Sequence, residues 1–347
     1  MAEGNRVVTV GVDTHKDAHV AAALDASGAL LGTASFPADA RGYASMVAWM
    51  RAFGRVEAAG VEGTGGYGAG LARALDAAGV RVLEVSAPDR SERRRRGKSD
   101  GIDAEQAARA ALAGTRCAPA KSRCAEMGAL GALEAAYAGA VKARTAALNA
   151  LQAQVVALPE EARAPLRGKG SSELVRACAS MRPGAGSSPE TLAKVALRSL
   201  ARRARMLDEE AKGLEAEIDA LTKALAPSTR SLLGAGPHVA ARLLLAAGAN
   251  VSRLRSEASF SMLCGASPVP VSSGRADRHR LSRAGDRRAN SALYTMAITR
   301  MAHDERTRSY VARRMSEGKT KKDAIRCLKR YIAREAYRAL AQDMEAL

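Results

Sequence analysis

The sequence predicts an α/β domain over residues 6–118, a segment of long helices over 119–226 and a mostly helical region over 227–347. Three observations lead there. Short apolar runs bounded by turn residues alternate with amphipathic stretches in the first part. Apolar residues then switch to 3/4 spacing over long stretches. Shorter helical segments follow, interrupted by one loop rich in Pro, Ser and Arg. At 347 residues the chain has room for two or three domains, each with its own core.

In the first domain, "RVVTVGVDT", "AHVAAALDASG" and "LLGTASFPA" read as three consecutive strands, the latter two joined at "DASGA". "ARGYASMVAWMRAF" is an amphipathic helix and "VEAAGVEG" a buried strand. "YGAGLARALDAAG" is a helix stopped by Gly79, "VRVLEVSA" a strand and "GIDAEQAARAAL" a helix. Three meandering strands followed by helix and strand in alternation give one mixed sheet with helices on its faces. In that sheet the first and fourth strands are neighbours with their ends on the same side.

The middle segment carries Leu130, Leu133, Tyr137, Val141, Leu148, Leu151, Val155 and Leu158 mostly at 3/4 spacing, broken at Arg144 and Thr145. Leu207, Ala211, Leu214, Ile218, Leu221 and Leu225 repeat the pattern without a break. Near-heptad spacing predicts a helical hairpin or coiled coil, and two helices packed on a core fit equally. "PEEARAPLRGKGSS" and "RPGAGSSPE" between them predict a flexible turn at the tip. In the third region, "LLGAGPHVAARLLLAAG" reads as a helix, a Gly-x-Gly turn and a second helix. The stretch from Leu232 to Leu244 resembles a helix-hairpin-helix, with a plain helical hairpin in a core as the alternative.

Net charge is +18, from 54 Lys+Arg against 36 Asp+Glu, which points to a polyanion and first of all to nucleic acid. Aromatic residues make up only 3%, so backbone and shape contacts are expected over base stacking. The five cysteines lack CxxC spacing, which implies neither a zinc site nor a disulfide framework and suits the cytoplasm. No signal peptide is read in "MAEGNRVV", and no apolar run approaches the ~18 residues of a membrane span.

Four carboxylates stand where chemistry is expected. Asp13 ends the first strand, Glu62 ends the fourth, and Asp100 and Asp103 open the helix after the fifth, three residues apart on one face. Asp100 and Asp103 also suit ordinary helix starts, and Glu62 an ion pair with Arg. Nothing local asks for a carboxylate at Asp13. Together the four form a hard-oxygen set for Mg²⁺ or Mn²⁺ of the kind that serves phosphodiester chemistry.

The cations cluster too. Arg93, Arg94, Arg95, Arg96 and Lys98 lie between the fifth strand and its helix. Arg275, Arg278, Arg280, Arg283, Arg287 and Arg288 follow Ser272 and Ser273. Lys322, Arg326, Arg330, Arg334 and Arg338 recur at steps of four in the last helix, either a phosphate-contacting stripe or the solvated side of a packed helix. Spacing alone favours a solvated Ser/Gly loop beside a phosphate-binding patch at Ser272–Ser273.

"GVDTHKD", "VEGTGGYG" and "RRRRGKSDGIDAEQAA" resemble the three signature blocks of the DEDD insertion-sequence transposases, whose N-terminal domain has a RuvC-like, RNase-H-type fold. Residues 265–274 fit that family's C-terminal pattern GxxPxxxxSG. "HRLSRAGDRRANSALY" and "EGKTKKDAIRCLKRYIARE" look like its next blocks, so the resemblance covers nearly the whole chain. It implies a DNA recombinase in which Asp13, Glu62, Asp100 and Asp103 hold Mg²⁺ and Ser273 becomes covalently linked to DNA, with Ser272 adjacent. It further implies a structured bridge RNA that pairs with donor and target DNA, and a homo-oligomer, dimer or tetramer, in which one active site draws on two protomers. A RuvC-like nuclease without serine chemistry, a non-catalytic nucleic-acid-binding protein and an actin-type kinase are the rivals. The kinase fits least, because "THKD" follows Asp13 where its phosphate loop needs small Gly/Thr residues.

Overall fold

A computed structural model describes residues 6–85, 99–120, 125–248, 254–270, 279–281 (backbone) and 285–346. The chain forms two compact units, Met1–Ser122 and Arg123–Leu347.

In the first unit β1 (Val7–Thr14), β2 (Ala18–Asp25) and β3 (Leu30–Pro37) form an antiparallel meander. Asp25 sets the β2–β3 turn, its Oδ1 accepting from the Ser27 and Ala29 amides. Then come α1 (Ala40–Ala52), β4 (Arg55–Glu62), α2 (Ala69–Ala77), β5 (Arg81–Val85), α3 (Asp100–Leu112) and β6 (Cys117–Pro119). The sheet runs β3-β2-β1-β4-β5-β6, with β1, β4 and β5 mutually parallel. The expected adjacency of first and fourth strands is therefore present. The antiparallel edge strand β6 was not foreseen, since three residues are too few to show a period of two.

The two sheet faces are covered differently. Val8, Val10, Val12, Ala21 and Ala23 pack against Met46 and Met50 of α1 and Leu71 and Leu75 of α2. On the opposite face α3 lies almost directly on the strands. A Cβ at Gly11 would sit 2.0 Å from the Ala108 amide nitrogen and 2.1 Å from the Ala104 carbonyl oxygen. At Gly60 it would meet the Ala107 carbonyl oxygen at 2.7 Å. Glycines on β1 and β4, facing the buried alanines 104, 107, 108 and 111, set this close approach.

In the second unit α4 (Ala125–Val156), α5 (Glu160–Arg163), a 3₁₀ turn (Ala164–Leu166), α6 (Ser171–Ala179) and α7 (Pro189–Leu225) come first. Helices α4 and α7 pair as an antiparallel hairpin. Met127 and Leu130 share a core with Ile218 and Leu225, and Leu151 and Val155 share another with Leu197 and Ala201. Leu197, Ala204, Ala211, Ile218 and Leu225 recur every seven residues, all buried. Arg144, where the apolar stripe breaks, has its Nε 3.0 Å from Asp208 Oδ1 on α7. The tip corrects the expected flexible turn. Leu166, Leu174, Cys178 and Ala179 close a core of their own, because "SSELVRACA" is amphipathic despite its Gly- and Pro-rich flanks.

Next are α8 (Pro227–Arg230), α9 (Pro237–Ala247), α10 (Glu257–Leu263), β7 (Pro268–Pro270), β8 (His279–Leu281), α11 (Arg287–His303), α12 (Glu305–Ser316) and α13 (Lys321–Glu345). Only the four-residue α8 precedes the Gly-x-Gly turn, so the resemblance to a helix-hairpin-helix fails. Helix α9 is a core element, with Val239, Leu243 and Leu244 packed against Leu293 and Met296 of α11 and Ile332 of α13. Among the described residues no helix is long and apolar enough to cross a membrane.

Candidate functional site

The register of β1 on β4 places Val12 opposite Val61, so the next residues, Asp13 and Glu62, stand side by side at the same end of two parallel strands. Both lie two residues beyond the glycines that α3 covers, hence on the α3 face. Asp13 is 8% exposed and Glu62 half-buried. The Thr14 hydroxyl donates to the Glu62 carbonyl oxygen at 2.8 Å, tying the two strand ends together.

Helix α3 brings the other two acids to this end. Its N-cap is Ser99, whose hydroxyl accepts from the Ile102 amide. Asp103, 3% exposed, continues the buried stripe of alanines toward the sheet, and Asp100 is exposed at the helix start. The free amides of a first helical turn favour carboxylates there. All four acids thus lie at one rim of the sheet.

His15 joins them, and the sequence reading missed it. Its Nε2 is 3.0 Å from Asp13 Oδ2 and 3.5 Å from Asp100 Oδ1. Asp13, His15 and Asp100 each offer a ligand atom, all within 4.8 Å of one another. The one available signal was its place two residues after Asp13, just past the end of β1. Carboxylate oxygens with one imidazole at the margin suit Mg²⁺ or Mn²⁺.

Ser272, Ser273, Arg93, Arg94, Arg95, Arg96, Lys98, Arg275, Arg278 and Arg283 lie outside the described residues. Arg280 is on β8, paired with Val269 of β7. The chain entering this strand pair is held by a buried network. Asn290 Nδ2 donates to the carbonyl oxygens of Cys264 (2.7 Å) and Gly265 (3.1 Å), and Lys329 Nζ donates to Asn290 Oδ1 at 2.7 Å. Burial, and then the Arg326 charge, lower the pKa of Lys329. A Cβ at Gly285 would lie 2.3 Å from the Gly265 nitrogen, so the entering and leaving chains touch. Burial, with Asp286 adding to it, pushes the neighbouring Cys264 thiol up to about 12, so it stays a protonated thiol packed in the core.

Arg287 and Arg288 are exposed in the first turn of α11. In the α13 stripe Lys322 is exposed and Arg330 half-buried, while Arg326 pairs with Asp323, and Arg334 and Arg338 with Glu257. Ile325, Leu328, Ile332 and Ala336 are buried on its other face. The stripe is thus the outer side of a packed helix, part of its charge already neutralised.

A family model for DEDD transposases of the IS110 type, described as "Transposase", matches residues 10–158. A second, described as "Transposase IS116/IS110/IS902 family", matches residues 228–312. The chain is also similar to an insertion element IS110 uncharacterized 43.6 kDa protein of Streptomyces coelicolor, 32% identical over 130 residues. That match covers 37% of this chain and 32% of the relative, so the chain spans about a third of the relative's length.

Proposed function

The chain belongs to the IS110 family of DEDD transposases, and from this premise we propose that it cleaves and exchanges DNA strands through a serine–DNA intermediate, guided by a bridge RNA. The observation that carries the proposal is that Asp13 and Asp100 share one ligand-distance group with His15 at the rim of an RNase-H-like sheet where Glu62 ends the neighbouring strand and Asp103 opens the same helix as Asp100. Two family models matching in order along one chain support it, the second spanning Ser273.

In the proposed reaction the Ser273 hydroxyl oxygen attacks a DNA phosphorus and gives up its proton to solvent. One bridging P–O bond breaks, and the departing deoxyribose oxygen takes up a proton. Attack by a hydroxyl of the exchanged strand then re-forms a phosphodiester and frees the serine. The carboxylates of Asp13, Glu62, Asp100 and Asp103 are the proposed holders of Mg²⁺ or Mn²⁺, with His15 beside Asp13 and Asp100. A bound ion there supplies stabilisation of negative charge on the phosphoryl and departing oxygens. Arg275, Arg278, Arg280, Arg283, Arg287 and Arg288, with Arg93–Arg96 and Lys98, are the proposed contacts to phosphate, which position nucleic acid without reading its sequence. Sequence choice falls to base pairing in the RNA, a division of labour known in other guided systems. In the proposed assembly the serine and the acids of one site come from different protomers of a homo-oligomer.

The experiment is cleavage of element-end DNA by the full-length protein co-expressed with its flanking non-coding RNA. Ser273→Ala is expected to abolish both cleavage and the covalent protein–DNA species, and Ser272→Ala to retain them. Cleavage that survives Ser273→Ala would instead establish a water-using nuclease on the same acids.

A further inference from the structure

We propose that the cleft bounded by the 231–233 turn, α11, α12 and α13 is a subsite for an unpaired nucleotide, stacking a base on Tyr331 and holding phosphate with Arg306 and Arg313. The inference rests on the nucleic-acid chemistry proposed above and adds a site outside the metal centre.

The cleft has a volume of about 880 Å³, within the range of small-ligand sites. At its floor Arg300, 9% exposed, donates from Nε to the Leu233 carbonyl oxygen (2.9 Å) and from Nη1 to Glu335 Oε2 (2.6 Å). The second acid, Asp304, caps α12 by accepting from the Thr307 amide and hydroxyl. Both carboxylates in the cleft are thereby engaged. Arg306 and Arg313 are exposed at its wall, the nearest carboxylate to Arg313 being Glu317 at 3.9 Å. The local balance favours an anion.

The aromatic content sharpens the assignment. The chain has only seven Tyr, three Phe and one Trp, and five of them are spent in cores: Phe36, Trp49 and Phe53 pack together, as do Phe260 and Tyr337. In the cleft Tyr310 and Tyr331 form an edge-on pair with centroids 5.6 Å apart, and Tyr331 stays 50% exposed. Arg313 sits over the Tyr310 ring at 5.7 Å and Arg334 over the Tyr331 ring at 5.5 Å. A half-exposed ring in T-shaped contact with Tyr310, with Arg334 over it and Arg313 on the neighbouring ring, matches what a flat base with a charged phosphate requires. A duplex keeps its base faces stacked inside and gains nothing from such a ring.

The test is fluorescence anisotropy of the full-length protein with a labelled single-stranded oligonucleotide, as RNA and as DNA, and with the matching duplex over a salt series. Tyr331→Ala is expected to weaken single-strand binding at least about five-fold, Tyr331→Phe to retain it, and duplex affinity to stay unchanged. Arg313→Ala, at an exposed position, is expected to lower the single-strand salt slope by about 0.7. The larger loss, with RNA or with DNA, identifies which strand occupies the cleft. An unchanged affinity for Tyr331→Ala, an equal loss for Tyr331→Phe or an equal loss with duplex would overturn the assignment while leaving the proposed function standing. A wild-type protein that binds none of the three would fail both.

Discussion

Replacing Gly11 by alanine should unseat the metal centre without touching any of its carboxylates. The added Cβ would lie 2.0 Å from the Ala108 nitrogen and 2.1 Å from the Ala104 oxygen, both backbone atoms of α3. Ordinary contact begins near 3.4 Å, so the helix must give by more than 1 Å. It has no flexible side chain to absorb that. Overpacking of this kind costs about 1–3 kcal/mol, and rigid backbone neighbours place the substitution at the upper end. The same displacement moves Asp100 and Asp103, and a 1 Å error in a reacting constellation can cost ~10²-fold in rate. The assay pairs two readouts. Trp49, the one tryptophan of the chain, lies in α1, so its fluorescence during urea unfolding reports on the first unit alone. DNA cleavage by the same preparation reports on the site. Gly139→Ala is the control, since it lies in the second unit with nothing within 4 Å of its exposed helical position, and it should leave the Trp49-monitored midpoint unchanged. A Gly11→Ala protein with the wild-type unfolding midpoint and wild-type cleavage would refute the close-packing argument.

Other predictions concern buried polar groups. His19 is fully buried against the Tyr43 ring, and burial lowers its pKa below 6.5. The unfolded chain therefore takes up a proton first as pH falls through 6.5, and the first unit loses stability from there downward. His19→Phe should flatten that slope in Trp49-monitored unfolding. Burial pushes the Glu134 carboxyl up, but hydrogen bonding and charge from His238, then Arg242, hold it below the usual range. Glu134→Ala takes a buried acceptor from Arg242 and from His238, which keeps Glu215 at 3.7 Å, and should cost about 1–3 kcal/mol in calorimetric unfolding of the second unit. Asn290→Ala strands the buried Lys329 ammonium and frees the Cys264 and Gly265 carbonyls. It should destabilise by about 1–3 kcal/mol and raise protease sensitivity around β7.

The sheet was legible because its strands are apolar runs between clear turn signals, and their order follows from short connections. The acids were legible because a carboxylate at Asp13 has no local explanation and its three companions fall at element ends. His15 was harder, because an exposed histidine two residues from an acid has no distinguishing pattern until Asp100 arrives from α3. The glycine–alanine contact of β1 with α3 spans some ninety residues and no periodicity reports it. The same holds for Lys329, which lies off the basic stripe of the last helix and which the fold buries against Asn290. Arg144 looked like a defect in an apolar stripe until Asp208 met it. The tip helices were obscured by proline and glycine at their flanks, where breakers set the ends of short helices without preventing them.

Anomalous diffraction at the manganese edge, from crystals of the full-length protein grown with Mn²⁺, tests the proposed metal centre most directly. A peak among the carboxylates of Asp13, Glu62, Asp100 and Asp103, lost in Asp13→Asn, is the predicted result. Manganese bound elsewhere on the protein, with none at the β1–β4 rim, would contradict it.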